Sequence, residues 1–499
     1  MAGAIVPRLL YLFVGGDPQN AGDGMTDTYH HWQIAFLTKG IGLSHGFRLW
    51  DLKGVEYFWG LLHPIILVIA FIVFQSIDLV IPRLVSILFG SLSVVLLFQL
   101  CRRYWGNQVA GAVAAFAALA PPVVFTDALG MVEPVAVAFV LLGIYWWPAR
   151  GFRAGVAWGL ASMARSEAWV MTFGLLVASW FKRVNLERRL PLIIGWVVVV
   201  ALYMKYLLDH TGNPVYPVYW EFLVEATGRW LSPVVTTQAH AVQPIFIGLV
   251  ALSGIGLALT IWKRPESYLL LCYGFASIAL VAVLLGFTSF ISSWSGWVWR
   301  ARILAFSFDF AFVLAAVPLF GILPGLFGRR ALIGAWALTL VSIGALQFTW
   351  IPIQWANQQT ELTWRSDLRT GEALANLYNQ APYRWGRLNI PADQPTLTYV
   401  LARFGGLHGD QLTGQLYDPF YDLPAGYRYD QDPVKAGRLM ACWLKSTDTS
   451  VWLVPDSNLN YREFLTEHVA WFAMIGQFPE RGWAVEAVSR SALAGGCSQ

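Results

Sequence analysis

The chain has 499 residues, 57% of them hydrophobic and only 13% charged, against roughly 25% charged in a soluble domain. That excludes an ordinary soluble enzyme and indicates a polytopic membrane protein. A net charge of +4, with no basic block interleaved with aromatics, argues against a nucleic-acid partner, and the four cysteines show neither a CxxC pair nor a metal-ligand spacing.

Residues 1–16, "MAGAIVPRLLYLFVGG", have the length of a signal peptide. No clear small-x-small cleavage site closes the run and many apolar runs follow it, so it is read as a short first span that stays attached. The polar stretch 22–32, "GDGMTDTYHHW", comes next and sets Asp23, Asp27, His30 and His31 beside a tryptophan at the end of that span. The run 60–76, "GLLHPIILVIAFIVFQS", is close to the minimum length for crossing and contains His63-Pro64. Further candidate spans lie near 82–101, 107–125, 132–147, 153–166, 167–181, 190–208, 243–262, 267–286, 303–323 and 331–347, about eleven with the first.

Charge decides how 60–76 is treated. If it does not cross and the N-terminus is cytoplasmic, the short inner connections hold Arg102, Arg103, Arg150, Arg153, Lys182, Arg183, Arg188, Arg189, Lys263, Arg264, Arg329 and Arg330. The longer outer loops then hold only Lys39, Arg48, Lys53, Arg229, Arg300 and Arg302, which is the positive-inside pattern. If 60–76 crossed, every later loop would flip and the pattern would fail. The run is therefore expected to be a juxtamembrane or re-entrant segment on the outer face, with its backbone bonded within a helix.

This topology sends the loops 17–81, 126–133, 209–242 and 287–302 outward, together with the tail 348–499. The tail turns polar and reads as a small α/β domain. It has a helical pattern at 365–379, strand-like runs at 396–401 and 451–454, and a helix at 461–475. The expected architecture is a polytopic α-helical membrane domain over 1–347, with juxtamembrane helices in its first outer loop, and an extracytoplasmic α/β domain over 348–499. Cys101 and Cys272 fall in or beside apolar runs and read as inert. Cys442 and Cys497 would pair only in an extracytoplasmic setting, and the sequence alone does not favour the bond. No internal repeat is visible, which weakens an inverted-repeat transporter.

The unusual polar residues gather on the outer side. They are Asp17, Asp23, Asp27, Tyr29, His30, His31 and His63 in the first loop, and Asp127 and Glu133 in "TDALGMVEP". Arg165 and Glu167 follow in "MARSEAW", then "DHTGNPVYPVYW" and "SSWSGWVWRAR". Each has a bland reading. Asp17 suits a solvated loop, the tryptophans 294, 297 and 299 suit an aromatic belt, and Arg165 and Glu167 suit a pair within a bundle. The argument for chemistry is their convergence, since an ionisable residue in an apolar segment is expensive. One outward cavity lined by these groups would suit sugar transfer to a hydroxyl. A carboxylate takes the acceptor proton, cations hold the departing phosphate, and an apolar groove holds a lipid tail. Asp27 fits the base, and Arg300 and Arg302 fit the phosphate, because the guanidinium fork matches phosphate oxygens.

These residues resemble the GT-C superfamily of polyprenyl-phosphate-sugar-dependent glycosyltransferases, in particular the protein O-mannosyltransferase and lipid A aminoarabinose transferase branch. "DTYHHWQIA" (27–35) is similar to the acidic motif after span one, with Asp27 in the Asp position and Thr28 where a second acid is usual; Asp23 is close by. Residues 81–119, with "IPRLVS" and the "RRYWG" turn, look like the R-x-x-S span. "TDALGMVEPVAVAFVLLGI" (126–144) resembles the second outer loop, with Glu133 as its acid, and "GLASMARSEAW" (159–169) looks like the G-x-x-x-x-x-R-x-E stretch. "WRARILAFSFDFAFVLAAVP" (299–318) resembles the R-Y-x-x-P-x-x-P span with most prolines missing. The resemblance covers about residues 10–320.

The resemblance implies a GT-C fold and a cell-envelope hexosyl or pentosyl transferase. It would move a sugar from an undecaprenyl- or dolichyl-phosphate carrier to a lipid, glycan or protein hydroxyl on the outer face. Asp27 would be the general base with Asp23 in reserve, and Glu133 would position the acceptor or sugar. Arg300 and Arg302, with Arg165 or Lys205, would bind the carrier phosphate. His30, His31, His63 and Glu167 would orient the sugar, while Tyr216, Tyr219 and Trp297 would line the groove. No cofactor is required on this reading. Because the oligosaccharyltransferase branch uses a divalent ion, Asp23, Asp27 and Glu133 are the set that would hold one. Two rivals remain: a transporter or flippase for a polyprenyl-linked sugar, which needs a path to the inner face, and a non-catalytic scaffold, which the missing second acid would suit.

Overall fold

A computed structural model describes residues 1–20, 26–180, 186–227, 254, 267–277, 309–358, 361–416, 418–420 and 433–498. The chain divides into two units, Met1–His31 with Tyr57–Thr360, and Trp32–Glu56 with Glu361–Gln499.

The first unit is helical. In chain order it contains α1 (Ala2–Phe13), the start of α2 (Thr26–Gly40), α3 (Leu62–Val73), α4 (Val80–Trp105), α5 (Asn107–Leu119), α6 (Pro121–Ala128) and α7 (Glu133–Trp146). These lead to α8 (Gly151–Ala164), α9 (Ser166–Ala178), α10 (Leu186–Thr211), α11 (Tyr216–Thr227), α12 (Tyr268–Ser277) and α13 (Leu323–Gln358). A helix rises about 1.5 Å per residue, so α4 and α10, 26 residues each, span about 39 Å and exceed the roughly 30 Å hydrocarbon thickness. Among the described residues three helices are long and apolar enough to cross a membrane: α4, α10 and the stretch Asp309–Phe348. A fourth joins them if α5 and α6, bent by 56° at Ala120, form one broken span. The described helices establish an apolar helical body rather than a count of eleven. The run 60–76 forms the twelve-residue α3, about 18 Å long and shorter than that thickness.

Small residues let two of these helices approach closely. Gly151, Gly155 and Gly159 of α8 face Arg188, Leu192 and Val199 of α10, so the two helices run side by side in the same direction. A Cβ on Gly155 would collide with the Leu192 carbonyl oxygen, so only glycine permits this backbone approach.

The second unit is α/β. Its sheet has the order β2-β1-β3-β5-β4, with β1 (Arg387–Ile390), β2 (Leu412–Gly414), β3 (Thr449–Pro455), β4 (Phe472–Phe478) and β5 (Trp483–Val488). β2, β1 and β3 are parallel, while β5 and β4 are antiparallel additions. The helices are α14 (Glu361–Tyr378), α15 (Pro395–Arg403), α16 (Pro433–Ser446), α17 (Leu459–Glu467) and α18 (Arg490–Ser498). Trp452 and Val454 of β3 pack with Met440, Leu444, Tyr461, Phe464 and Val488. β3 is buried along nearly its whole length, which is why it reads as the continuous run "VWLV". Residues 32–56 of the first loop belong to this unit. Trp32 packs edge-on against Tyr399 at 4.9 Å, Gln33 Nε2 donates to Thr398 Oγ1 at 2.7 Å, and Lys53 pairs with Asp393 at 2.5 Å.

Three sequence expectations for the tail change. The run 396–401 is not a strand but the body of α15, opened by Pro395, whose fixed φ suits a first helical turn. Leu397, Val400 and Leu401 do keep a helical spacing on its buried face, with Thr396 partly exposed and Arg403 exposed, but the β-branched threonines and valine mask it as a strand. The helix expected over 461–475 stops at Glu467, and β4 begins at Phe472. Cys442 and Cys497 are joined in a disulfide that links α16 to α18 across 55 residues, a bond the spacing alone did not favour. Cys101 is buried and Cys272 exposed, both as free thiols.

Candidate active site

Most of the described residues singled out by sequence fall into three groups of the first unit. α2 supplies the first. Asp27 stands in its first turn, half-buried, where the unpaired N–H groups of a helix start favour a carboxylate. Thr28, at the position of the missing second acid, is fully buried, with its Oγ1 3.5 Å from the thioether of Met131. A buried hydroxyl at a sulfur contact fits there, whereas a carboxylate would need a charged partner. His30 and His31 follow one turn on and are buried against Trp59, with ring centroids 5.8 and 4.8 Å away. His63, from the start of α3, meets His31 edge-on at 5.0 Å. Both ring nitrogens of His63 are buried without a hydrogen-bond partner among the described residues. Sequence reasoning placed these three histidines together, and the structure does bring them together.

The second group sits where α8 passes into α9. The Leu61 amide donates to the Met163 carbonyl at 2.8 Å, which ties the segment carrying Trp59 and His63 to the end of α8. Arg165 then breaks the helix in extended backbone (φ −147°, ψ 146°). Its guanidinium holds two carboxylates. Nη1 donates to Glu133 at 2.9 Å, Nε donates to Glu167 at 2.8 Å, and Nη2 donates to the other Glu167 oxygen. Ser166 adds a bond to Glu167 at 3.2 Å. Glu133, the first residue of α7, is 1% exposed. Local sequence explains the arrangement. Arg165 and Glu167 share no helical face, so they meet only because Arg165 lies outside both helices. The pairing fixes Glu133, whose burial would otherwise be costly.

The third group is aromatic. Tyr57 lies 6.0 Å from Tyr206, 5.9 Å from His210 and 6.5 Å from Tyr216, ring to ring. Trp220 continues the row with Tyr216 at 5.9 Å and Tyr219 at 6.4 Å, and Tyr219 is exposed. Lys205 does not join any of these groups. It stands exposed on α10, paired with Asp209 one turn on at 2.5 Å. Asp23, Trp297, Arg300 and Arg302 lie outside the described residues.

The metal question can be put to the donors themselves. One Glu133 oxygen is taken by Arg165, and among the described residues no three His, Cys, Asp or Glu side chains stand where they could share an ion. The described residues do not make up a ligand set.

Sequence reasoning gave no role to two fully buried arginines, Arg8 and Arg83, the second of which opens the R-x-x-S motif. Arg8 pairs with Asp127 at 2.6 Å. Arg83 donates from Nε to the Ala128 carbonyl at 2.7 Å, and from Nη1 to the carbonyls of Asp17 at 2.7 Å and Pro18 at 3.2 Å. A signal was present in each case, because an arginine inside an apolar run is expensive unless it is used. Asp51, in the first-loop segment of the second unit, was also missed. It is buried, and burial together with the charge of Glu56 pushes its carboxyl up to about 7.

No protein-family model matches the chain, and no curated protein does. Solved structures do. ArnT from Cupriavidus metallidurans bound to undecaprenyl phosphate is similar over 98% of this chain and 98% of that chain, with a TM-score of 0.59 at 16% identity. The apo oligosaccharyltransferase of Archaeoglobus fulgidus is similar over 91% of this chain and 69% of that one, with a TM-score of 0.54 at 10% identity. The arabinofuranosyltransferase AftD from Mycobacteria is similar over 98% of this chain but only 39% of that one, with a TM-score of 0.52 at 14% identity. At these identities the likeness is one of fold.

Proposed function

We propose, on the premise that the chain has the fold of the GT-C glycosyltransferases, that it is an integral membrane glycosyltransferase moving a sugar from a polyprenyl-phosphate carrier to a hydroxyl acceptor. The observation that carries this reading is the end-to-end likeness, 98% of both chains, to an enzyme crystallised with undecaprenyl phosphate. The acceptor is a lipid, glycan or protein hydroxyl, and the sugar a hexose or pentose. Two features support chemistry on the extracytoplasmic side: the positive-inside distribution of arginine and lysine, and a disulfide in the tail, which persists in oxidising compartments. The same features support an extracytoplasmic α/β tail.

The step is a single displacement. The acceptor O–H gives its proton to the Asp27 carboxylate as its oxygen bonds to the sugar's anomeric carbon. The bond from that carbon to the carrier phosphate breaks, and the electron pair leaves with the phosphate. Asp23 is the reserve base. Glu133, held by Arg165, and Glu167 position acceptor and sugar, with the His30, His31 and His63 cluster around the sugar hydroxyls. Arg300 and Arg302 bind the departing phosphate, and the Tyr216–Tyr219 row with Trp297 lines the groove, while Arg165 is engaged by Glu133 and Glu167 and Lys205 by Asp209. Reconstitution with radiolabelled polyprenyl-phosphate sugars tests the reading. The native protein should transfer label, and Asp27→Asn should lose at least about 10²-fold, the lower end of a general-base contribution. Transfer at full rate in Asp27→Asn would remove Asp27 as base. Lipid crossing without transfer would point to a transporter, and neither activity with any carrier to a scaffold.

A further inference from the structure

α4 and the second outer segment meet in a way that the transfer step does not explain. Arg83, in the first turns of α4, is fully buried and satisfies three backbone carbonyls: Ala128 at 2.7 Å, Asp17 at 2.7 Å and Pro18 at 3.2 Å. Ser86 is three residues on, which puts it on the same helical face, and it is also fully buried; its Oγ donates to the Met131 carbonyl at 3.1 Å. The loop lies hard against the helix. Gly130 has φ +86°, and a Cβ there would stand 3.2 Å from the Arg83 amide nitrogen. The segment so held is the one that touches the acids. Met131 meets Thr28, the neighbour of Asp27, and Glu133 begins two residues later.

A buried guanidinium is costly, and packing alone could be served by an apolar side chain. What Arg83 supplies is geometry. A planar fork can bind carbonyls from two separate segments at once, and a point charge cannot hold both in fixed directions. We propose that Arg83, seconded by Ser86, is a positioning residue for sugar transfer, fastening the segments at 17–18 and 128–131 to α4 so that the turns bearing Asp27 and Glu133 keep their places. This rests on the glycosyl-transfer reading for its catalytic consequence and on the hydrogen bonds alone for its structural one.

The experiment has two arms on the full-length protein in lipid nanodiscs, comparing native, Arg83→Met, Arg83→Lys and Ser86→Ala. In the first, donor-dependent transfer is normalised to folded protein. Arg83→Met should lose about 10²-fold in kcat, the scale of a misplacement of about 1 Å, with donor KM within about threefold of native. Arg83→Lys should recover only part of the loss. A donor KM that rises with kcat intact, or a rate per folded molecule equal to native, overturns the proposal. The second arm needs no activity. Hydrogen exchange should quicken roughly tenfold or more in residues 26–31 and 128–134 of Arg83→Met, through the loss of charge-assisted hydrogen bonds, while α8–α10 stay native. Unchanged exchange in those two segments overturns the proposal, as does equal quickening throughout. If the native protein transfers no sugar from any carrier, the transfer reading falls with the catalytic half of the proposal, and the exchange arm still decides whether Arg83 holds the two segments.

Discussion

Arg8 offers a quantitative test of how charge is tolerated among these helices. It is fully buried on α1, pairs with Asp127 at 2.6 Å, and donates to the carbonyls of Ala4 at 2.7 Å, Ala117 at 3.1 Å and Ala118 at 3.4 Å. Arg8→Met keeps most of the apolar stem and removes the charge, leaving the Asp127 carboxylate without it. Breaking a buried pair from one side costs about 3–5 kcal/mol, because the remaining charge stays desolvated. At about 2.1 cal/mol/K of unfolding entropy per residue, a chain of 499 residues shifts by about 1 °C per kcal/mol, so Arg8→Met should melt roughly 3–5 °C below native. Asp127→Asn keeps a side-chain acceptor for Arg8 beside the carbonyls of Ala4 and Ala117, so it should lose less, about 1–3 kcal/mol. The double variant Arg8→Met, Asp127→Leu removes both charges and should regain much of the loss. Heating the full chain in mild detergent, followed by fluorescence-detected gel filtration, reads all three. The reasoning is refuted if Arg8→Met melts with the native protein, or if the double variant melts at the sum of the single losses.

Three further outcomes follow from the same kind of argument. Gly155→Ala drives a Cβ into the Leu192 carbonyl and should destabilise by about 1–3 kcal/mol. Gly174→Ala, with open space around its Cβ and a helical backbone, should be neutral or stabilising; equal melting of the two variants would contradict the close α8–α10 approach. Asp51 titrates near 7 in the folded protein, raised by burial first and by Glu56 second, against 3.8 ordinarily. The fold therefore retains a proton that the unfolded chain releases, so stability present below about pH 4 is lost as pH rises through about 7, by about 4 kcal/mol at 1.36 per unit. Asp51→Asn should flatten that part of the pH profile and melt higher than native at pH 8, and parallel profiles for the two proteins would rule this out. Cys497→Ser opens the 55-residue Cys442–Cys497 loop and should cost about 2–4 kcal/mol. Reductant should lower the native melting temperature by the same amount and leave the variant's unchanged.

How much of this was legible in sequence depended on whether the cause was local. His30, His31 and His63 announced themselves as polar groups bordering apolar runs, and they converge. Arg165 and Glu167 were legible as a pair, but Glu133, 32 residues away, enters only through the packing of α7 against α8 and α9. The 396–401 run reads as a strand because its threonines, tyrosine and valine are strand formers, although Leu397, Val400 and Leu401 keep a helical spacing. The disulfide could not be read from spacing, because it depends on α16 and α18 lying together. Arg8 and Arg83 were readable as charges out of place, but their partners are mostly carbonyls, which no side-chain pattern reveals. The membership of 32–56 in the α/β unit was invisible for the strongest reason, since its partners lie more than 300 residues away.

That distance sets a timetable for synthesis. Gln33 meets Thr398 365 residues later in the chain. At roughly 5–20 residues per second, the ribosome needs about 20–70 s between the two. For that interval Trp32 and Phe36, both buried in the finished protein, have no sheet or α15 to cover them. The nascent first loop therefore carries these side chains uncovered until the tail is made, and a chain stopped before residue 361 should keep them so. Co-expression of residues 361–499 as a separate polypeptide should rescue such a fragment, by supplying in trans the surface that the loop waits for.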